Sequence, residues 1–232
     1  MKLLVASGNA KKLRELDQVL QDLDIRGVEL LSLADVDAYP EPRETGLTFA
    51  ENALIKARAG ARATGYACVA DDSGLSVDAL GGMPGVLSAR WSGAHGDDEA
   101  NNRLLLAQME DIEQRAAAFV SCCALVVPGS GAGADAGAGV GAGAGAGVEA
   151  EAEAGAGAGA AEELREFTAE GRWEGQLLYT PRGENGFGYD PLFAPNDADG
   201  RSSAELTAEE KNARSHRGQA LRLLAPHIAA LL

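Results

Sequence analysis

The sequence has few cysteines, few histidines and few basic residues for its length. Three cysteines and three histidines occur among 232 residues, without a Cys-x-x-Cys pair or a His-Glu-x-x-His segment, which excludes the usual zinc patterns. An odd cysteine count, with Cys122 and Cys123 adjacent, favours a reducing cytoplasm over a disulfide framework. With 20 Lys and Arg against 35 Asp and Glu, the formal net charge is -15, so a nucleic acid polymer is not an expected partner.

Long apolar runs and several familiar catalytic patterns are also missing. No stretch approaches the roughly 20 apolar residues that cross a bilayer, and the apolar N-terminal run is too short for a signal peptide, so we expect a cytoplasmic protein without a membrane partner. Ser73 lacks the Gly-x-Ser-x-Gly elbow of an acyl-transfer nucleophile. Neither the P-loop nor the dinucleotide fingerprint is present. A nucleotide-sized anion remains a possible ligand because it needs only a local basic cluster.

One long segment contains almost no core-forming residues. Residues 129–160 are nearly all Gly and Ala, and such a run cannot bury enough area to offset the entropy of ordering it. The composition predicts a flexible surface loop inserted into a single domain that spans 1–232. The alternative, a stacked Gly-Ala sheet, needs many aligned copies. Strand-like residues at 119–127 and 164–169 flank the segment and predict an overgrown hairpin.

Apolar runs alternate with helical patterns in the rest of the chain, which predicts the α/β class. Two capping-box patterns, Thr48 with Glu51 and Thr207 with Glu210, predict helix starts. The remaining predicted elements are a first strand at 3–6 with a helix behind it, a short strand at 67–70, and helices at 98–115 and 219–232.

The turn after the first strand is the first candidate for anion binding. Ser7-Gly8-Asn9 precedes a helix, whose free backbone N–H groups and dipole favour an anion. Lys11 and Lys12 oppose that dipole, which is easier to explain if an anionic ligand offsets them. The alternative is an ordinary Asn N-cap followed by two solvated lysines.

An acidic pair is the candidate for metal chemistry. Asp71 and Asp72 follow the strand at 67–70 and precede Ser73-Gly74, a pattern that predicts an acidic turn. Two carboxylates leaving a buried strand must be paired, desolvated or bound to a cation, and Mg²⁺ takes carboxylates, waters and phosphate oxygens. Glu44 is a possible further ligand from a loop. An Asx-turn with surface carboxylates is the alternative. Successive strand residues point to opposite faces, so the two acids are expected to differ in role unless the turn intervenes.

Two C-terminal segments offer groups that recognise a ligand. Phe187-Gly188-Tyr189-Asp190 alternates glycine with aromatic rings, which suits stacking on a flat base; the alternative is a tight turn with core aromatics. His216 and Arg217, preceded by Lys211, supply donors for phosphate or carbonyl oxygens. The alternative there is a solvated basic helix start.

Taken in order, these segments resemble the inosine triphosphate pyrophosphatase-like family, in particular its bacterial XTP/dITP diphosphatases. The resemblance covers nearly all of the chain, and the Gly/Ala insertion is the one clear departure. It rests on residues 7–12, 44–53, 70–75, 80–85, 186–191 and 215–221.

The resemblance implies a two-lobed fold with a long central mixed sheet, flanking helices and an active-site cleft between the lobes, and it implies a homodimer. It also implies Mg²⁺-dependent hydrolysis of ITP, XTP or dITP to the monophosphate and pyrophosphate, which cleanses the nucleotide pool. Asp72 is expected to accept a proton and, with Glu44, to bind the metal. The expected substrate contacts are Ser7, Gly8, Asn9, Ala10, Lys11, Lys12, Ser73 and Lys211, with Phe187, Gly188, Tyr189, Asp190, His216 and Arg217 on the base.

Alternative functions remain open. Donors from His216 and Arg217 suit a 6-oxo purine, but a pyrophosphatase with another base preference fits the same pattern, as does a nucleotide sensor that does not hydrolyse. A phosphatase that forms an aspartyl-phosphate usually has Asp-x-Asp, whereas Asp71 and Asp72 are adjacent.

Overall fold

A mixed six-stranded sheet forms the centre of the computed structural model, which describes residues 1–129 and 164–232. The strand order is β2-β1-β3-β4-β5-β6, in which β1 is parallel to β2 and β3, and β3 to β6 are successively antiparallel. The strands are β1 Lys2–Val5, β2 Glu29–Leu31, β3 Ala67–Val77, β4 Ala116–Val127, β5 Arg165–Leu177 and β6 Phe193–Pro195. The α-helices are α1 Ala10–Asp22, α2 Phe49–Thr64, α3 Asp98–Gln108, α4 Ala208–Arg214 and α5 His216–Ala229. None of these helices is long and apolar enough to cross a membrane.

Side-chain caps fix where the helices begin. The Asn9 side chain accepts a hydrogen bond from the Lys11 N–H at 2.9 Å, so the first helix has the Asn N-cap that the sequence allows. Reciprocal capping boxes form at Thr48 with Glu51 and at Thr207 with Glu210, which confirms both predicted helix starts.

Two layers of helix and one long sheet create two lobes. On one face, α1 and α5 pack on β1, β3 and β4, while α2 packs on the opposite face of the same strands. The far halves of β3, β4 and β5 form a separate core with α3 and the segment that follows β5. The predicted α/β class with a long mixed sheet flanked by helices is confirmed.

The predicted acidic turn is wrong, because β3 continues through it. Residues 71–74 lie inside an 11-residue strand, and each faces a β4 residue in an antiparallel ladder that runs to the pair of Val77 with Ala117. Aspartates are poor strand formers, but here the long ladder and the ion pairs described below hold them extended.

Two helix boundaries also differ from their predictions. The helix expected at 98–115 ends at Gln108, because the chain must turn to begin β4; buried Arg115 stabilises this turn by donating to the carbonyls of Met109 and Leu177. The last helix spans 216–229 rather than 219–232, because Ser215 caps it through the Gly218 N–H.

The predicted hairpin partners are neighbours in the sheet. β4 and β5 pair antiparallel from Val127 with Arg165 to Ala116 with Gln176. The Gly/Ala insertion predicted at 129–160 lies, except for Gly129, outside the described residues.

Candidate active site

Within the described part of the chain, the acidic pair lies at a stretch of strand edge that is open on the β1 side. β1 pairs with β3 only as far as Val5 with Val69, and the 3₁₀ helix Gly85–Arg90 meets β3 again where the Leu75 N–H donates to the Ser88 Oγ at 2.9 Å. Residues 70–74 lie between these two contacts. Gly74 is required at the second contact, since a Cβ there would be 2.3 Å from the Ser88 Oγ. A ligand that crosses this edge reaches side chains on both faces of the sheet.

On one face, Asp72 belongs to a set of residues from α2 and the loop before it. The Asn52 Nδ2 donates to Asp72 Oδ2 at 3.1 Å, and the Lys56 Nζ donates to Asp72 Oδ1 at 3.3 Å and to Glu44 Oε1 at 2.7 Å. Asn52 is 1 % exposed, and its Oδ1 accepts the Gly46 N–H at 2.8 Å. Lys56 therefore bridges the two acids that the sequence predicts as metal ligands.

The electrostatics of this set suit a proton acceptor. Burial raises the pKa of the Asp72 carboxyl above its usual value, although Lys56 and the Asn52 hydrogen bond oppose the rise. Burial by itself lowers the pKa of Lys56, but the attraction of Asp72 and Glu44 outweighs burial and the pKa is raised. The lysine stays charged, and the aspartate is a stronger base than an exposed one.

The donor set also fits a divalent cation of the magnesium type. Within residues 1–129 and 164–232, no three His, Cys, Asp or Glu side chains converge as a metal-holding group. Glu44 and Asp72 nevertheless each place an oxygen within 3.3 Å of the same ammonium nitrogen, so both can face one cation. Mg²⁺ is commonly held by one or two carboxylates, with waters and substrate phosphates completing its shell.

On the opposite face, Asp71 is buried in an ion-pair network. Its carboxylate oxygens lie 2.8 Å from Lys12 Nζ and 2.9 Å from Arg217 Nε. Arg217 also donates to Glu15 Oε2 at 3.3 Å and to the Ser73 Oγ at 3.0 Å. Burial by itself raises the pKa of Asp71, but Arg217 and Lys12 bring the pKa well below its usual range. The alternative of two surface carboxylates is wrong, and the two acids have different partners, as strand alternation predicts.

A cavity of about 160 Å³ lies on the Asp71 face; we call it the aromatic pocket. Phe187 at its mouth is 62 % exposed, whereas Tyr189 is 4 % exposed and donates its hydroxyl to the Ser88 carbonyl at 2.9 Å. Phe187 is therefore exposed enough to stack on a base, as one alternative requires, whereas Tyr189 is a core aromatic, as the other requires. The lining includes Lys11, Ser73, Phe119, Phe187, Gly188, Tyr189, Asp190, Lys211, His216 and Arg217.

His216 and Asp190 are held rigidly in this pocket. The His216 ring stacks on Phe119 with centroids 5.2 Å apart, and burial, reinforced by Arg217 and Lys211, lowers the pKa of His216 to about 3. The imidazole is therefore neutral, and its Nδ1 bonds to no group among the described residues. Buried Asp190 accepts from Lys211 and from the Ser203 Oγ. The alternative of a solvated basic helix start is wrong for His216.

The predicted anion-binding turn borders a second cavity, of about 330 Å³, which we call the N-terminal groove. Ser7, Gly8 and Lys56 line it together. Asn9 caps α1, whose first residue is Ala10, and Lys12 is committed to Asp71. The structure thus assigns the segment to two places, with Ser7 and Gly8 on the groove and Lys11 on the aromatic pocket.

Sequence reasoning missed Asn52 and Lys56. They lie four residues apart on α2, next to the apolar stripe that includes Ala53 and Ala57. Their spacing could have indicated that two polar side chains share one helix face. The neighbouring sequence, however, does not show that this face meets Asp72.

The residues described above define an α/β protein with a candidate active site at an open sheet edge. This site combines lysines, two adjacent aspartates and an aromatic pocket. Residues 3–227 match the model of the Ham1 family, and the chain belongs to that family.

Named relatives are similar over almost the whole chain. A dITP/XTP pyrophosphatase of Corynebacterium glutamicum is 56 % identical over 234 residues, which cover 99 % of this chain and 97 % of that protein. The crystal structure of a nucleoside-triphosphatase, dITP/XTP pyrophosphatase, from Mycobacterium abscessus is 53 % identical, with a TM-score of 0.72 and coverage of 98 % and 100 %. The Ham1 protein of Staphylococcus aureus is 29 % identical with a TM-score of 0.75, each chain fully covered.

Proposed function

We propose that this protein hydrolyses dITP, XTP and ITP to the nucleoside monophosphate and pyrophosphate, in the cytoplasm and with Mg²⁺. The carrying observation is that Asp72, with its raised pKa, and Glu44 both contact Lys56 at the sheet edge that also borders the aromatic pocket. Relatives named dITP/XTP pyrophosphatase that are 50–56 % identical support the substrate class.

A nucleotide fits across the open edge of β3. The aromatic pocket on one face offers Phe187 for stacking on a purine. Lys56, Ser7 and Gly8 offer an ammonium group and a polar turn on the other side of the edge, at the N-terminal groove. This orientation brings the triphosphate near Asp72 and leaves the base near His216 and Arg217.

Asp72 acts as the general base. Asn52 and Lys56 hold its two oxygens, so that the carboxylate can orient a water for in-line attack on the α-phosphorus and accept its proton. Lys56 offsets negative charge on the phosphates as pyrophosphate leaves. Mg²⁺ held by Glu44 and Asp72 would neutralise phosphate oxygens and strengthen pyrophosphate as a leaving group.

Base selectivity follows from the fixed polar groups of the aromatic pocket. Each nitrogen of the Arg217 guanidinium already has a protein acceptor, and the His216 imidazole is neutral. The pocket therefore offers a purine base only a few hydrogen-bond donors, each in a fixed position. The 6-oxo group of a purine accepts a hydrogen bond from such a donor, whereas a 6-amino group leaves the donor unpaired. An unpaired buried polar group costs about 1 to 3 kcal/mol, which corresponds to roughly tenfold to hundredfold discrimination against ATP.

We further propose that the protein is one domain and forms a homodimer. One continuous sheet contains strands from both described segments, which supports a single domain. The free, buried Cys68, Cys122 and Cys123 are consistent with a reducing compartment. Sedimentation at micromolar concentration tests the dimer, and a monomer there would contradict it.

The activity is tested by incubating the protein with ITP, XTP, dITP, GTP and ATP, with Mg²⁺ or with EDTA, and by identifying the products. We expect pyrophosphate from the first three substrates, slower release from ATP, and no release in EDTA. Orthophosphate as the product, or equal turnover of ATP and ITP, would contradict the proposal.

A further inference from the structure

Helix α3 contacts both backbone groups of a single glycine in the aromatic segment. The Gly188 N–H donates to Asp98 Oδ2 at 2.6 Å, and the Gly188 carbonyl accepts from Asn102 Nδ2 at 2.9 Å. Asp98 and Asn102 are four residues apart and so share a face of α3. Gly188 has a φ of +61°, a left-handed conformation that glycine adopts readily.

This two-point contact lies beside the one exposed ring of the aromatic pocket. Tyr189, the next residue, is anchored in the core through Ser88. Phe187, the preceding residue, is mostly exposed; its N–H donates to Asp190 Oδ2 at 2.8 Å, and its ring centroid lies 5.2 Å from Lys211 Nζ. The direction of the Phe187 ring therefore depends on how the Gly188 peptide is held.

The hydrogen bonds of these two side chains serve this contact and not the capping of α3. The N-cap of the helix is Asp97, which already accepts the Ala100 N–H. Asn101 ties α3 to the segment after the 3₁₀ helix by accepting the Ser92 N–H at 2.7 Å. Asp98 also lines the aromatic pocket. Among the described residues, neither capping nor that tie uses Asp98 or Asn102.

We propose that Asp98 and Asn102 are positioning residues that hold Phe187 over the aromatic pocket and thereby set the affinity for the purine base. The inference rests on the proposed function, because it takes a purine nucleotide as the ligand. It separates base affinity from phosphate affinity, since neither residue contacts the N-terminal groove or Asp72.

The test uses the full chain and two separate probes, IMP and inorganic triphosphate, with binding measured by calorimetry. We expect Asp98→Ala and Asn102→Ala each to weaken IMP binding about tenfold, the effect of losing roughly one hydrogen bond, and to change triphosphate binding less than twofold. In turnover of ITP, KM should rise about tenfold while kcat stays within about twofold. Glu99→Gln is the matched control, because Glu99 contacts Arg103 on the exposed side of the same helix, and it should change neither affinity.

Two further variants keep the outcome interpretable if the alanine variants fold poorly. Asn102→Asp preserves size but places an acceptor against the Gly188 carbonyl, and it should weaken IMP binding to a similar extent. In a Phe187→Ala background, Asn102→Asp should cause no further loss. The proposal is overturned if folded Asn102→Asp binds IMP normally, if both probes weaken equally, or if the loss persists without Phe187.

The same experiment distinguishes this proposal from the proposed activity. Wild-type protein that binds IMP but releases no pyrophosphate from ITP would contradict the activity, while the variant series would still decide the role of Asp98 and Asn102. Wild-type protein that binds no IMP would overturn the role of Asp98 and Asn102 in base affinity, whereas pyrophosphate release from ITP would still decide the activity.

Discussion

Asp71 and Asp72 are adjacent in β3, yet their carboxylates lie on opposite faces of the sheet and share no hydrogen-bond or ion-pair partner among the residues that the structure describes. Asp71 pairs with Lys12 and Arg217, which belong to α1 and α5. Asp72 contacts Asn52 and Lys56, both on α2. The first acid thus joins elements of the fold, and the second is available for chemistry at the open edge.

We predict that Asp72→Asn reduces kcat by about 10²- to 10⁴-fold, because the amide cannot accept the proton of the attacking water. The variant keeps the size of the side chain, so its thermal midpoint should stay within a few degrees of wild type. Steady-state kinetics with ITP and a thermal melt measure both effects. Full activity in the variant would show that Asp72 is not the base.

Asp71→Asn should act mainly on stability, whereas Asp72→Asn acts mainly on kcat. The substitution leaves the largely buried Arg217 without its closest carboxylate, which costs about 3 kcal/mol of unfolding free energy by comparison with other broken buried pairs. Because Arg217 and Lys12 lower the pKa of Asp71, the pair's stabilisation is complete at neutral pH and is lost only as the pH falls below about 3.8, through the folded-state pKa. Urea unfolding at pH 7 measures the loss, and Asp71→Asn with Arg217→Met should recover part of it.

Asn52→Ala should move the acid limb of the pH profile. The Asn52 hydrogen bond opposes the burial that raises the pKa of Asp72, so its removal raises that pKa further. Activity requires the carboxylate and falls as the pH drops through the pKa. The midpoint of log kcat/KM on the acid side should therefore shift to higher pH in Asn52→Ala. An unchanged midpoint would mean that another group controls this limb.

His216 should make the fold less stable in mild acid. Its pKa is about 3 in the folded protein and 6.5 for the free group, so below pH 6.5 the unfolded chain binds the extra proton and stability falls with pH. Between pH 7 and pH 5 this group accounts for about 2 kcal/mol of the loss. Urea unfolding at both pH values should show that loss reduced by this amount in His216→Gln. An equal loss in wild type and variant would contradict the burial of a neutral imidazole.

Features that depend on nearby residues could be predicted from the sequence. The caps at Asn9, Thr48 and Thr207 need a side chain and a backbone group within three residues. Those at Thr48 and Thr207 form as predicted, and the Asn9 cap, which was the alternative to an anion-binding turn, also forms. Residue type also singled out the acidic pair and Glu44, and the structure brings Glu44 and Asp72 to the same lysine, while their roles stay predictions. The Ham1 family confirms the resemblance on which their roles were based.

Features that depend on distant partners could not be predicted. β3 continues through Asp71 and Asp72 because β4, about fifty residues later, pairs with it. The partners of Asn52 and Asn102 are 20 and 86 residues away. A local pattern shows which face of a helix is polar, but it does not show what that face meets in the fold.

The open edge of β3 also affects how the protein behaves in concentrated solution. Residues 70–74 lie between the last β1 pair and the 3₁₀ helix, and an unpaired strand edge can recruit a strand from another molecule. Asp72 places a carboxylate at this position, which repels a similarly charged strand, so the acid proposed for the chemistry also limits self-association. Protonation of Asp72, whose pKa is raised, weakens that repulsion as the medium becomes acidic.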